Sequence, residues 1–100
     1  MEFWYNHIHW TEEAHQEFYE HFKKAPPHKQ SEALLHQALL LSQSGDDTDL
    51  KFGESLLIQW MSIFRKTEEK KKAYTTLITI YGHLNLPDKV NYFKKLIADL

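Results

Sequence analysis

The sequence predicts an all-α protein: about five helices, packed as consecutive antiparallel hairpins in a single domain. Three observations carry this. Thr11, Ser31, Thr48, Thr67 and Pro87 each open a segment with apolar residues at helical spacing, at intervals of about twenty residues, the room that one helix and a short turn occupy. There are three glycines and three prolines, and the prolines fall between the periodic segments, which leaves little for the turns of a β-sandwich. Apolar residues make up 42% of the 100 and aromatic ones 14%, enough for one core at a length that seldom supports two. A compact irregular helical bundle is the alternative arrangement of the same helices.

The segment from Met1 to Trp10 carries Phe3, Trp4, Tyr5, Ile8 and Trp10, too much apolar surface for a solvated tail, so it is expected to pack on the helices that come after it. Thr11 offers a hydroxyl to the free N–H groups of a first helix, and Glu12 and Glu13 stand where its dipole favours negative charge. Ala14, Phe18, Phe22 and Ala25 form its apolar stripe, and Pro26 and Pro27 end it. The second helix is expected from Ser31 to Ser42, with Leu34, Leu35, Ala38, Leu39 and Leu41 on a wide arc. Gly45, Asp46, Asp47 and Thr48 then supply stop, turn and new cap.

The third helix, Asp49 to Lys66, places Leu50, Gly53, Leu57, Trp60, Met61 and Phe64 on one face and Phe52, Leu56 and Ile63 beside it. A helix apolar over so much of its girth belongs at the centre. Thr67, Glu68 and Glu69 open a fourth helix with the chemistry seen at Thr11, and Ala73, Leu77, Ile80, Tyr81 and Leu84 come next at helical spacing. The β-branched run between Thr75 and Tyr81 also suits a strand, but the cap before it and three turns of periodicity favour helix. Pro87 and Asp88 fit the first turn of a fifth helix, expected to bury Val90, Phe93, Ile97 and Leu100.

The spacing resembles that of the tetratricopeptide repeat, whose first helix has the pattern W-x2-L-G-x2-Y and whose second has A-x3-F with a later proline. Tyr74, Leu77, Ile78 and Tyr81 occupy the four first-helix positions, with isoleucine in place of the small residue; Leu34, Gln37, Ala38 and Leu41 occupy them with the small residue kept. Ala14, Phe18 and Pro26 match the second-helix spacing. Gly53 and Leu57 match it only with a lengthened loop around Gly45, and Val90 and Phe93 fall one residue short. The resemblance implies one trailing helix and then two hairpins, a protein-interaction role, and stacked first helices lining a concave surface for a peptide or another domain. It also makes a homodimer through the uncapped last helix an expectation.

Composition narrows the function classes. A net charge of −2 with mixed signs gives no global attraction to nucleic acid or an anionic membrane, and Glu68 and Glu69 interrupt the basic run Arg65, Lys66, Lys70, Lys71 and Lys72. There is no cysteine, which removes disulfides, thiolate metal sites and thiol nucleophiles. The first ten residues carry Glu2, His7 and His9 and lack a basic start, so no secretory signal is expected, and no apolar run spans a bilayer. The setting expected is cytosolic. No serine lies in a nucleophile-elbow context, the glycines are isolated, and the acidic pairs sit at helix starts, so no enzyme chemistry and no cofactor are expected.

Two groups of residues stand out. Trp4, Tyr5 and Trp10, with Tyr74, Ile78 and Tyr81 on a first-type helix, are the expected partner contacts, since aromatic side chains anchor interfaces when their own core does not consume them. Core packing is at least as strong a reading for each. Seven histidines are many for 100 residues, and His7, His9, Glu12 and His15 offer nitrogen and oxygen ligands for one zinc or nickel ion. The function expected is therefore a non-enzymatic protein-binding module, whether adaptor, chaperone-like or immunity-type. A histidine-rich metal protein and a weak nucleic-acid binder are the alternatives.

Overall fold

Thr11 starts the first helix as its chemistry requires: its backbone is extended and its Oγ1 accepts the Ala14 N–H at 3.1 Å. The computed structural model describes residues 4–100, over which the chain forms five helices and no strand: α1 (Glu12–Phe22), α2 (Pro27–Leu41), α3 (Asp47–Ile63), α4 (Thr67–His83) and α5 (Pro87–Ala98). Phe3, expected in the amino-terminal aromatic cluster, lies outside the described residues. No helix among those described is long and apolar enough to cross a membrane.

The helix boundaries depart from expectation where one residue type serves two purposes. Pro26 and Pro27 do not end α1, which stops at Phe22; they start α2, with Pro27 in the first turn, where its fixed φ fits and its missing N–H costs nothing. Ser31 is consequently inside α2, and buried, rather than its cap. Asp46, not Thr48, caps α3, its carboxylate accepting the Thr48 N–H at 2.7 Å. That helix ends at Ile63, where Phe64 turns extended. Thr67 is the first residue of α4, with no side-chain cap before it.

The β-branched run in α4 is helical. Thr75, Thr76 and Thr79 each donate a hydroxyl to the carbonyl four residues earlier, at 2.7, 2.9 and 3.3 Å, which lets threonine sit in a helix without a stray donor. Asn85 then adopts a left-handed φ of 59°, and the Leu86 and Asn85 N–H groups reach back to the Tyr81 and Gly82 carbonyls at 2.9 and 3.2 Å. This is a Schellman stop, with asparagine where glycine is usual, and Pro87 begins α5 directly after it.

The third helix packs against both α2 and α4, α4 also packs against α5, and α2 and α4 touch. At one end of this assembly the Trp60 indole Nε1 donates to Ser31 Oγ at 2.8 Å, and Ser31 donates onward to Glu69 at 2.7 Å, joining α3, α2 and α4 through one hydroxyl. At the other end Gly53 fits where a Cβ would meet Ile80 at 3.2 Å and Leu41 at 3.4 Å. Trp60, Leu34, Ala38, Leu41, Leu57, Leu77 and Ile80 are fully buried between these points.

One packing expectation holds and one is corrected. The third helix is central, as expected, packing against both α2 and α4, while Phe52 and Ile63 stay 37% and 51% exposed. The fifth buries nothing completely: Val90, Phe93 and Ile97 are half-buried and Leu100 is exposed, with α4 packed against one side of it.

Candidate partner-binding groove

The amino-terminal segment is fastened to the helices by two buried polar side chains. Gln37 of α2, with no exposed surface, pairs with the backbone of His7 in both directions: its Oε1 accepts the His7 N–H at 3.0 Å and its Nε2 donates to the His7 carbonyl at 2.7 Å. Asp49 of α3 accepts the Trp10 N–H at 2.8 Å, the Ser44 hydroxyl at 2.7 Å and His9 Nδ1 at 2.9 Å. Both meet the requirement that buried polar groups be fully bonded.

Burial pushes the Asp49 carboxyl up, but hydrogen bonds from His9, the Trp10 N–H and Ser44, with the nearby His9 charge, outweigh it and hold the group below the usual carboxylate range. Its contribution to stability is therefore complete above the ordinary carboxylate pKa of about 3.9 and disappears as pH falls through the lower folded value. Asp49→Asn is expected to cost about 1–3 kcal/mol at neutral pH. In urea titrations the gap from wild type should narrow below about pH 4; a gap equal at pH 3 and pH 7 would contradict this assignment.

So fastened, the segment contributes to the core. Trp4, Tyr5 and Trp10 are 8, 9 and 6% exposed, and Phe18 receives the rings of Trp4 and Trp10 at centroid distances of 5.3 and 5.5 Å. Of the two roles open to these aromatics, the structure places them in the core. The Tyr5 hydroxyl donates to Glu32 of α2 at 2.6 Å. Tyr81 is also buried; it stacks on Phe93 and donates its hydroxyl to Glu54, beneath Lys89, whose Nζ lies 5.1 Å from the ring centroid. Burial, then the bond to Glu54 and its charge, push the Tyr81 phenol above its ordinary range. Tyr74 is half-buried against Phe93, and Ile78 is half-buried beside it on α4.

The four residues expected as metal ligands are not brought together. His9 pairs with Asp49, His7 Nε2 lies 3.5 Å from Glu17, and His15 packs among the rings of Trp10, Tyr19 and Phe52. Glu12 sits in the first turn of α1. Among the described residues no group of three or more histidines or carboxylates is arranged to hold a metal ion.

What the helices do build is a groove of about 910 Å³ between α2 and α4. On α2 it is lined by His28, Glu32, Leu35, His36 and Leu39, a stripe that recurs at helical spacing along about 17 Å of axis. On α4 it is lined by Glu68, Glu69, Lys71, Lys72, Thr75 and Thr76. The Ser31–Glu69 bond spans the two walls near one end. Leu39 is 45% exposed here, an apolar side chain in reach of a partner. None of the six expected contact residues lines this groove. The available signal was an excess of leucine: Leu34, Ala38 and Leu41 already serve the core side of α2, which leaves Leu35 and Leu39 for another face.

No protein-family model matches this chain, and neither a curated protein nor a solved structure matches it.

Proposed function

We propose that this protein is a non-enzymatic, cytosolic interaction module whose helices stack as tetratricopeptide-like antiparallel hairpins, α2 with α3 and α4 with α5, and which grips a segment of another protein between α2 and α4. The observation that carries the reading is the groove itself. Its walls are the two helices that bear the first-helix spacing, Leu34, Gln37, Ala38 and Leu41 on one and Tyr74, Leu77, Ile78 and Tyr81 on the other. Stacked first helices lining a concave surface are what that resemblance implies.

The contacts at the two ends of α3 support the hairpin arrangement. Trp60, late in α3, meets Ser31, early in α2, and through it Glu69, early in α4; Gly53, nearer the start of α3, meets Leu41 and Ile80, late in their helices. Gly53 thus stands where a close helix approach needs a small residue, as the A-x3-F spacing asks.

Leu39→Arg tests the reading. The side chain is half in solvent, so the melting temperature is expected to stay within a few degrees of wild type. In a pull-down from the native host read by mass spectrometry, proteins captured by wild type should be lost with this variant. An identical set of captured proteins would remove the groove from the account, and their identity separates adaptor, chaperone-like and immunity-type roles.

A further inference from the structure

Two side chains of α2 serve the amino-terminal segment and the groove at once. Gln37 fixes the segment along α2 by holding the His7 backbone, and the Tyr5 ring, 9% exposed, stands perpendicular to Trp4 with centroids 4.9 Å apart. With its ring seated, Tyr5 donates its hydroxyl to Glu32 Oε2 at 2.6 Å, where the Lys29 ammonium also donates at 3.0 Å. The Tyr5 bond first, then that from Lys29, hold the Glu32 carboxyl below the usual carboxylate range. One turn on, Asn6 Oδ1 lies 2.7 Å from His36 Nε2; a carbonyl oxygen only accepts, so Nε2 donates. Glu32 and His36 line the groove, and Tyr5 and Asn6 do not. Among the described residues Glu32 Oε1 and His36 Nδ1 take part in no hydrogen bond, so each side chain is held by one atom and keeps another for a partner.

We infer that the amino-terminal segment is the positioning element of the groove: Tyr5 and Asn6 hold Glu32 and His36 in the arrangement that a partner meets. The inference rests on the proposed interaction role and adds how its site is kept ready. A glutamate on an exposed helix face samples many rotamers, and fixing one at an interface opposes binding. Here the folded segment has already fixed it. Tyr5 and Asn6 are thus positioning residues, acting on the partner through α2. The coupling is reciprocal, since a partner bound to Glu32 and His36 in this arrangement also favours the fastened segment.

Two measurements on the full chain test this: recovery of host proteins by quantitative mass spectrometry, with folding checked by circular dichroism, and the ionisation of Glu32. Tyr5→Phe keeps the ring and loses the hydroxyl; Asn6→Ala loses the acceptor, and Asn6→Asp keeps one. The proteins that Leu39→Arg loses should be recovered at least about threefold less by Tyr5→Phe and by Asn6→Ala. Asn6→Asp should recover them as wild type does, and so should Ile8→Ala, a change at a residue of the same segment that is 68% exposed. In a carbon-13 NMR titration the Glu32 carboxyl should move up toward the ordinary range in Tyr5→Phe and stay in place in Ile8→Ala. Wild-type recovery by either Tyr5→Phe or Asn6→Ala overturns the inference, as does greater recovery, which would make the segment a competitor. So does an equal loss with Ile8→Ala, or a Glu32 titration unchanged by Tyr5→Phe. In each of these cases the groove reading stands on the Leu39→Arg result; if Leu39→Arg loses no host protein, both fall.

Discussion

Replacing Trp60 by alanine is expected to destabilise the protein by about 3–5 kcal/mol, more than any change at the surface. Trp60 has no exposed surface, and its indole bonds to Ser31, the hydroxyl that also holds Glu69. The variant therefore opens a large cavity beside α2 and α4 and withdraws a donor from the only described hydroxyl shared by α2, α3 and α4. At about 4–8 °C per kcal/mol for a domain of this size, the melting temperature should fall by on the order of 20 °C. Trp60→Phe separates the two effects: it keeps most of the volume and loses the indole bond, so it should cost about 1–2 kcal/mol. Thermal unfolding followed by circular dichroism measures both. Near-native melting of the alanine variant would contradict the central place given to α3.

Trp10→Ala is expected to have an effect of similar size, about 3–5 kcal/mol, because of the two roles open to this residue it takes the one in the core. A tryptophan that anchors a partner can be removed with little change in folding. Trp10 instead packs against Phe18, Phe52 and His15 at centroid distances of 5.5, 5.9 and 5.8 Å, and its backbone N–H is the one that Asp49 holds. Its truncation removes one of the two tryptophan rings that the amino-terminal segment places on Phe18 of α1. The indole Nε1 of Trp10 is buried with no acceptor among the described residues, so Trp10→Phe gives up no hydrogen bond and should cost less than Trp60→Phe relative to the volume removed. Urea denaturation of the four variants ranks these costs. Loss of host-protein capture by Trp10→Ala at a temperature where it remains folded would restore the interface role.

The helices were readable because each is written locally. Thr11 with Glu12 and Glu13, the stripe of Ala14, Phe18 and Phe22, and the Pro87 start after Asn85 all act within a few residues of the chain, and all appear as expected. The failures come from side chains whose partners are distant in sequence. Ser31 has the chemistry of a cap, but Trp60 and Glu69 claim its hydroxyl from other helices. Gln37 and Asp49 give no local sign of their role, because their partners lie in the segment around His7 and Trp10 that folds over them. Proline ends a helix and also begins one, so Pro26 and Pro27 fix a boundary without saying which side of it is helical.

The groove was the least readable feature. Leu35 and Leu39 belong to an apolar arc that suits a core, and only the position of α4 decides which part of that arc is covered. The histidines mislead in the opposite sense. Their clustering in sequence invites a shared ligand, yet they face different neighbours: His7 lies beside Glu17, His9 bonds Asp49, and His15 packs among aromatic rings. Aromatic residues near the amino end read equally well as anchors or as core, and the bonds that decide between these, from Gln37 and Asp49, cross about thirty to forty residues of sequence.

The most direct test of partner binding between α2 and α4 is site-specific photo-crosslinking in the native host, with p-benzoylphenylalanine in place of Leu39 in the groove or of Tyr92 on the exposed side of α5. The groove position should yield a covalent adduct to a different protein, and the α5 position should yield none. Adducts from position 92 alone, whether to another protein or to a second copy of this chain, would contradict the account.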